Sequence, residues 1–282
     1  MDYQQTVCKS GILSGIGVHS GENISLKVTP LREDSGIIFK RSDISSNNTI
    51  PAKFYNVTNT KLCTEIANDS GVRIGTIEHL MAALWGMGID NVLIEVTGPE
   101  IPAMDGSAKD FIRLIKDLRV KKQFKKRKKL KILNTVKVIH DDREITVSNS
   151  DSFAMGFAID FEHKSIGKQN CKYTSFQEFE KEIGNARTFG FVNEVEYLKK
   201  RGLAKGASLE NAIGLDNSGV MNLGGLRYKD EFVRHKILDC VGDLFVSGYR
   251  IIGEFQAKKA GHSLNNNILR KIFQIPGAYK IV

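Results

Sequence analysis

Residues 231–245 read Glu-Phe-Val-Arg-His-Lys-Ile-Leu-Asp-Cys-Val-Gly-Asp-Leu-Phe. Val233, Ile237, Val241 and Leu244 recur at the spacing of one helix face, and Leu238 and Phe245 widen that face. His235, Asp239 and Asp243 lie one turn apart, a polar stripe on a helix that otherwise reads as buried. Gly248 follows, then an apolar strand over residues 249–255. Residues 76–96 present the same order. Thr76 reads as an N-cap whose hydroxyl accepts from a free N–H of the first turn. A helix opens at Ile77, with Leu80, Met81, Leu84 and Trp85 on its apolar face. Gly86 and Gly88 end it, and residues 91–96 (NVLIEV) read as a strand.

The rhyme extends outward. Strands are expected over 24–28 and 36–40 in the first half, and over 131–139, 143–147 and 153–161 in the second. Each half closes on a further helix, near 108–118 and from 264 or 265 to about 273. Another helix is expected around 175–183. Both central helices carry a histidine near their start, His79 and His235. The fold class expected is therefore α+β, two similar layered sheet-and-helix units forming a pseudo-repeat. The domains expected are 1–120 and 132–282, joined by a basic linker at 121–131.

That linker holds most of the protein's charge. The 282 residues include 41 Lys+Arg and 32 Asp+Glu, a formal charge of +9. Residues 121–131 (KKQFKKRKKLK) hold eight basic side chains and no acid, so the rest of the chain carries +1. A basic pI thus says little about the body of the protein. With 41% hydrophobic and 26% charged residues the composition is that of a globular chain. No apolar run reaches the length of a membrane-spanning helix. The first residues show no secretory signal, and Cys8, Cys63, Cys171 and Cys240 form no CxxC pair. Reduced thiols and a cytoplasmic location are expected.

Residues 15–21 (GIGVHSG) lack the P-loop pattern and precede a strand, so they read as a hairpin turn. Neither GxSxG nor HExxH occurs. His235 and Asp239 at i, i+4 can chelate one cation, though such a pair is ordinarily a solvated ion pair. His79 can supply a third ligand and Glu78 a carboxylate base, or the two can simply end a helix whose dipole favours the acid. His262 follows Gly261 in an expected loop, as a surface residue or a mobile acid.

Five segments carry a resemblance: 76–80 (TIEHL), 101–107 (IPAMDGS), 186–190 (ARTFG), 231–239 (EFVRHKILD) and 261–266 (GHSLNN). In this order they resemble the UDP-3-O-acyl-N-acetylglucosamine deacetylases, the zinc amidases of lipid A synthesis. The resemblance runs from about residue 10 to 270. It implies two α+β domains with the site at their interface, and hydrolysis of an N-acetyl group from an acylated UDP-sugar, the committed step of lipid A synthesis. It implies His79, His235 and Asp239 as ligands of Zn2+, with Fe2+ as the alternative metal. Glu78 corresponds to the general base, His262 to the catalytic histidine, Asp243 to the carboxylate that orients it, and Thr188 to a hydroxyl near the tetrahedral carbon. Lys236 corresponds to a lysine on the phosphate side of the substrate. Leu62, Cys63 and Thr64 fall in a substrate-contacting segment, Phe161 corresponds to an aromatic that stacks near uracil, and Phe189 is a further substrate-binding candidate. Phe191, Val192, Val195 and Leu209 fall where the family lines its acyl passage.

Two readings compete with this one. A zinc amidase acting on another N-acylated sugar would need the same metal site and no acyl passage. A binding protein would use the basic run on nucleic acid, but that run has one aromatic, Phe124, and no interleaved stacking residues. Nucleic acid is therefore not expected as a partner. The run reads first as a solvated loop, and second as a weak contact with an anionic membrane surface. The partner expected is the acylated UDP-sugar, and the oligomeric state expected is a monomer.

Overall fold

The computed structural model describes residues 3–282. A five-stranded sheet runs in the order Gly11–Ile16, Asn23–Pro30, Val92–Val96, Ile37–Arg41 and Thr49–Pro51. Its first two strands form the hairpin expected around residues 15–21. The strand Val92–Val96 pairs antiparallel with Asn23–Pro30 and parallel with Ile37–Arg41. The second half repeats this. Val136–His140, Arg143–Ser148, Arg250–Lys258, Phe153–Asp160 and Lys168–Tyr173 pair in the same order and with the same senses. The rhyme of elements is a rhyme of topology, and the α+β class with two similar layered units holds.

Among the described residues, five α-helices complete the layers: α1 (Glu78–Gly86), α2 (Lys109–Leu118), α3 (Val192–Lys200), α4 (Glu231–Phe245) and α5 (His262–Gln274). α1 and α4 occupy equivalent places in the two units and pack on each other. Eight residues of α1, Glu78 through Trp85, are buried, as are thirteen of the fifteen in α4. A helix buried on all sides belongs to the core, so its polar side chains are partnered or functional. Gly242 permits the contact: a Cβ there would lie 2.0 Å from the Glu78 carbonyl oxygen. Each unit also carries a three-stranded insertion, Val57–Asn59 with Glu65–Ala67 and Arg73–Ile74 in the first, and Phe189–Phe191 with Ile213–Asp216 and Gly219–Val220 in the second.

Four local expectations change. The basic run is not a loop. Val120–Lys126 pairs antiparallel with Tyr3–Val7, and Lys129–Ile132 joins the second sheet beside Arg250–Lys258. No apolar alternation announced the first of these strands because its inward residue is polar. Gln123 accepts from the Asn91 amide at 2.8 Å and donates to the Leu31 carbonyl at 2.9 Å. Thr76 does not cap α1: its backbone is left-handed, at φ 57°, and its hydroxyl donates to Glu100 at 3.2 Å. The helix expected around 175–183 is a 3₁₀ turn, Phe176–Glu178, followed by a π turn, Glu180–Gly184. His262 is the first residue of α5 rather than part of a loop.

Candidate active site

α4 brings His235 and Asp239 onto one face, and the packing of α1 sets His79 against them. The Nε2 atoms of His235 and His79 lie 3.2 and 3.4 Å from Asp239 Oδ1. One ligand atom from each of the three buried residues falls within 4.8 Å of the others. The His235 ring is oriented from behind, its Nδ1 bonded to the Ala186 carbonyl at 3.0 Å. This backbone contact leaves Nε2 free for a metal, the usual arrangement around a ligating imidazole. Asp239 Oδ1 is buried and accepts no hydrogen bond from any of the described residues. Burial would lift the Asp239 carboxyl, but His235 and Lys236 beside it hold it well below the usual carboxylate range. Burial pushes the His235 imidazole down, toward the neutral form that ligates. Two imidazole nitrogens and a carboxylate oxygen without a hydrogen bond, converging in a buried space, fit a divalent cation. The second carboxylate oxygen, Oδ2, meets Lys236 Nζ at 2.8 Å.

Glu78 precedes His79 at the start of α1 and is 4% exposed. Burial is the main cause that lifts its carboxyl to about 7; Asp243 and Asp239 add to this, and His262 opposes it. His262 Nε2 lies 3.9 Å from Glu78 Oε1, and His262 Nδ1 lies 2.8 Å from Asp243 Oδ2. Burial works against charge on His262, yet Asp243, then Glu78 and Asp239, push the imidazole up to about 10. A buried acid near neutrality beside a histidine that stays charged at neutral pH is a pairing suited to base and acid chemistry at one centre.

Further residues hold this pair. Thr64 donates through its backbone N–H to Glu78 at 3.0 Å and through its hydroxyl to Asp243 at 2.5 Å. Asn265 donates to Asp243 Oδ2 at 2.8 Å. The sequence reading assigned Asn265 no role, although its i+3 spacing from His262 on one helix was a usable signal. It also missed the ion pair between Arg187 and Glu231, 2.9 Å long, with Glu231 fully buried. That pair anchors the segment whose Ala186 carbonyl orients His235. The segment 101–107 buttresses Thr188, whose N–H donates to the Gly106 carbonyl at 2.8 Å.

Three cavities surround the centre. One of about 490 Å³ is lined by Phe161, Thr188, Phe189, Phe191, His235 and Lys236, with Arg143 and Lys259 as further cations. Phe161 and Phe189 meet edge to face, with ring centroids 5.7 Å apart. A second, about 230 Å³ and mainly apolar, is lined by Val192, Val195 and Leu209 with Ala212, Ile213 and Met221. Of the four residues expected along an apolar passage, Phe191 alone faces the first cavity, and Gly190 borders both. The third, about 320 Å³, contains Leu62 and Cys63 together with His19, Thr76 and Glu100. Burial pushes the Cys63 thiol up to about 12, so it is no nucleophile near neutrality.

A two-unit α+β fold with a buried His-His-Asp cluster, a near-neutral carboxyl and a charged imidazole defines a metal-dependent hydrolase. The family model described as UDP-3-O-acyl N-acetylglycosamine deacetylase matches residues 4–274, and the chain belongs to that family. The UDP-3-O-acyl-N-acetylglucosamine deacetylase of Pasteurella multocida is 46% identical over 282 residues, covering 99% of this chain and 92% of the relative. That of Shewanella frigidimarina is 46% identical over 285 residues, covering 100% and 93%. That of Mannheimia succiniciproducens is 45% identical over 282 residues, covering 99% and 92%. Among the described residues, no helix is long and apolar enough to cross a membrane.

Proposed function

We propose that the protein removes the N-acetyl group of UDP-3-O-(3-hydroxyacyl)-N-acetylglucosamine, giving acetate and the free-amine sugar nucleotide for lipid A synthesis in the cytoplasm. The observation that carries this reading is Asp239 Oδ1, buried without a hydrogen bond and faced by two imidazole nitrogens, beside Glu78 and His262. His79, His235 and Asp239 would hold the cation, Zn2+ or Fe2+. When bound, it supplies Lewis acidity toward water and the amide carbonyl.

The remaining steps belong to side chains. Glu78, near 7, accepts the proton of the attacking water as its oxygen bonds to the acetyl carbon. The Thr188 hydroxyl donates to the oxygen that becomes negative. When the C–N bond breaks, the sugar nitrogen needs a proton to leave as an amine. His262 holds one at neutral pH, and Asp243 keeps it there. The first cavity mixes Lys236, Arg143 and Lys259 with Asp142, Asp160 and Glu194. Lys259 takes up Asp142 and Asp160, which leaves Arg143 and Lys236 to meet a diphosphate with its uracil against Phe161, and the apolar cavity at Val195 and Leu209 suits the acyl chain.

Acetate release from the acylated and the deacylated sugar nucleotide tests the reading. Turnover should stop on chelation, return with Zn2+ and fall sharply without the 3-O-acyl chain. Full turnover by metal-free protein refutes the mechanism. Equal turnover on both substrates refutes the acyl assignment.

A further inference from the structure

The basic strand Val120–Lys126 has no part in this chemistry, yet its side chains are sorted. Successive residues of a strand face opposite ways. Gln123 turns inward to Asn91 and Leu31. Lys126 pairs with Tyr3 and Lys122 with Gln5, and Phe124 lies between them where the register of the strand shifts. Phe124 is 93% exposed, far more than any other large aromatic among the described residues. A single exposed ring is ordinary on a protein surface; what sets this one apart is that it stands among lysines on one strand.

The charges around it divide in two. Lys125 is paired with Asp34, Arg127 with Asp90 and Lys131 with Asp151. Those acids are thereby neutralised. Lys121, Lys122, Lys126 and Lys128 reach no carboxylate among the described residues, and Lys122 lies 4.0 Å over the Tyr3 ring. Beside the strand, a cleft of about 360 Å³ is lined by Lys53, Arg127, Lys128 and Tyr249, together with Asp34 and Asp90, the two acids already paired with Lys125 and Arg127. The Lys53 ammonium sits 5.8 Å over the Tyr249 ring and has no carboxylate partner among the described residues.

From this geometry we propose that the face is a docking surface for an anionic phospholipid bilayer. Phe124 enters the interfacial region between Lys122 and Lys126, the unpaired lysines lie among the headgroups, and one headgroup phosphate occupies the cleft at Lys53 and Lys128. An aromatic wedge flanked by cations fits a lipid surface. Lys122 covers the Tyr3 ring, which leaves Phe124 as the one uncovered ring of the strand pair, and a single ring fits a nucleic acid strand poorly.

The test is sedimentation of the metal-loaded protein with vesicles of phosphatidylcholine alone or mixed equally with phosphatidylglycerol. Binding is expected only to the mixed vesicles and should weaken as salt rises. Lys122→Gln with Lys126→Gln should weaken it on the order of 25-fold, and Phe124→Ser should weaken it further, while acetate release is unchanged. Phe124→Trp gives a second readout on a chain whose one tryptophan, Trp85, is buried, and the emission of the introduced indole should shift to the blue on mixed vesicles. The proposal is overturned by equal binding to both vesicles, by no binding at low salt, by an unshifted emission from the Phe124→Trp variant, by indifference to the substitutions, or by tighter binding to a single-stranded RNA oligomer.

Discussion

Asp243→Asn removes one charge and leaves the shape. In the native protein the carboxylate accepts from Thr64, Asn265 and His262 at 2.5, 2.8 and 2.8 Å. Burial is the largest influence on His262 and acts downward; Asp243 is the next and acts upward, through both its charge and its hydrogen bond. The balance stands at about 10, against an ordinary imidazole value of 6.5. With asparagine the burial remains and the main opposing influence is gone, so His262 falls, with only Glu78 and Asp239 still raising it. The native enzyme should then show an acid limb from Glu78 and, well above neutrality, an alkaline limb from His262. In the variant the alkaline limb moves down, and the range in which Glu78 is ionised while His262 is charged narrows. Loss of a charged general acid costs about 10²–10⁴-fold in rate. The assay is acetate release, read as kcat/KM from mildly acid to strongly alkaline pH. A variant that keeps its alkaline limb near 10 refutes the assignment of that limb to His262 under the control of Asp243.

The remaining predictions concern metal and stability. His79→Ala and Asp239→Ala should bind no Zn2+ by metal analysis, and Zn2+ at about 100 times its Kd should stabilise the wild type, not these variants, by about 2.7 kcal/mol. Glu78 has a folded pKa of about 7, above its ordinary 4.5. The folded state of the metal-free protein therefore binds the proton more tightly, and stability falls as pH rises from 4.5 through 7. Glu78→Gln should stabilise that apo form by a few kcal/mol above pH 7 and leave it unchanged near pH 4, as measured by urea unfolding. Glu231→Ala strands the Arg187 guanidinium in a buried site and should cost about 3–5 kcal/mol by the same measurement, whereas an effect under 1 kcal/mol would show that water reaches the pair.

What could be read from the chain was what repeats along a helix. α4 was legible from end to end because its apolar residues and its stripe of His235, Asp239 and Asp243 share one period. A polar stripe on a helix with too few exposed positions was the sign that these groups were not a solvated ion pair. The metal trio was legible only through resemblance, since no period along the chain connects His79 with Asp239. The bond from Thr64 to Asp243 spans 179 residues and leaves no local trace. Thr76 misled because composition reports a residue's liking for a cap and not its backbone. Glu100, 24 residues away, holds its hydroxyl instead. The basic run misled for a related reason. Strand periodicity is read from apolar residues, and here the inward position is a glutamine held by hydrogen bonds.

The pseudo-repeat explains why the centre lies where it does. α1 and α4 are equivalent helices, and each brings half a site. α1 carries Glu78 and His79, while α4 carries His235, Asp239 and Asp243. Neither set is complete, and neither is satisfied alone: Asp239 Oδ1 lacks a hydrogen bond even in the assembled fold. Burying such groups opposes folding. The apolar sides of two fully covered helices drive their packing, so the unsatisfied groups are carried into a dry interface by the surrounding hydrophobic burial. That environment is also what makes the groups useful. Burial raises Glu78 toward neutrality, and the crowding of carboxylates around His262 keeps it charged. The cost to stability and the reactivity of the centre thus have one source, the same helix–helix contact, and a cation at His79, His235 and Asp239 would relieve the first while using the second.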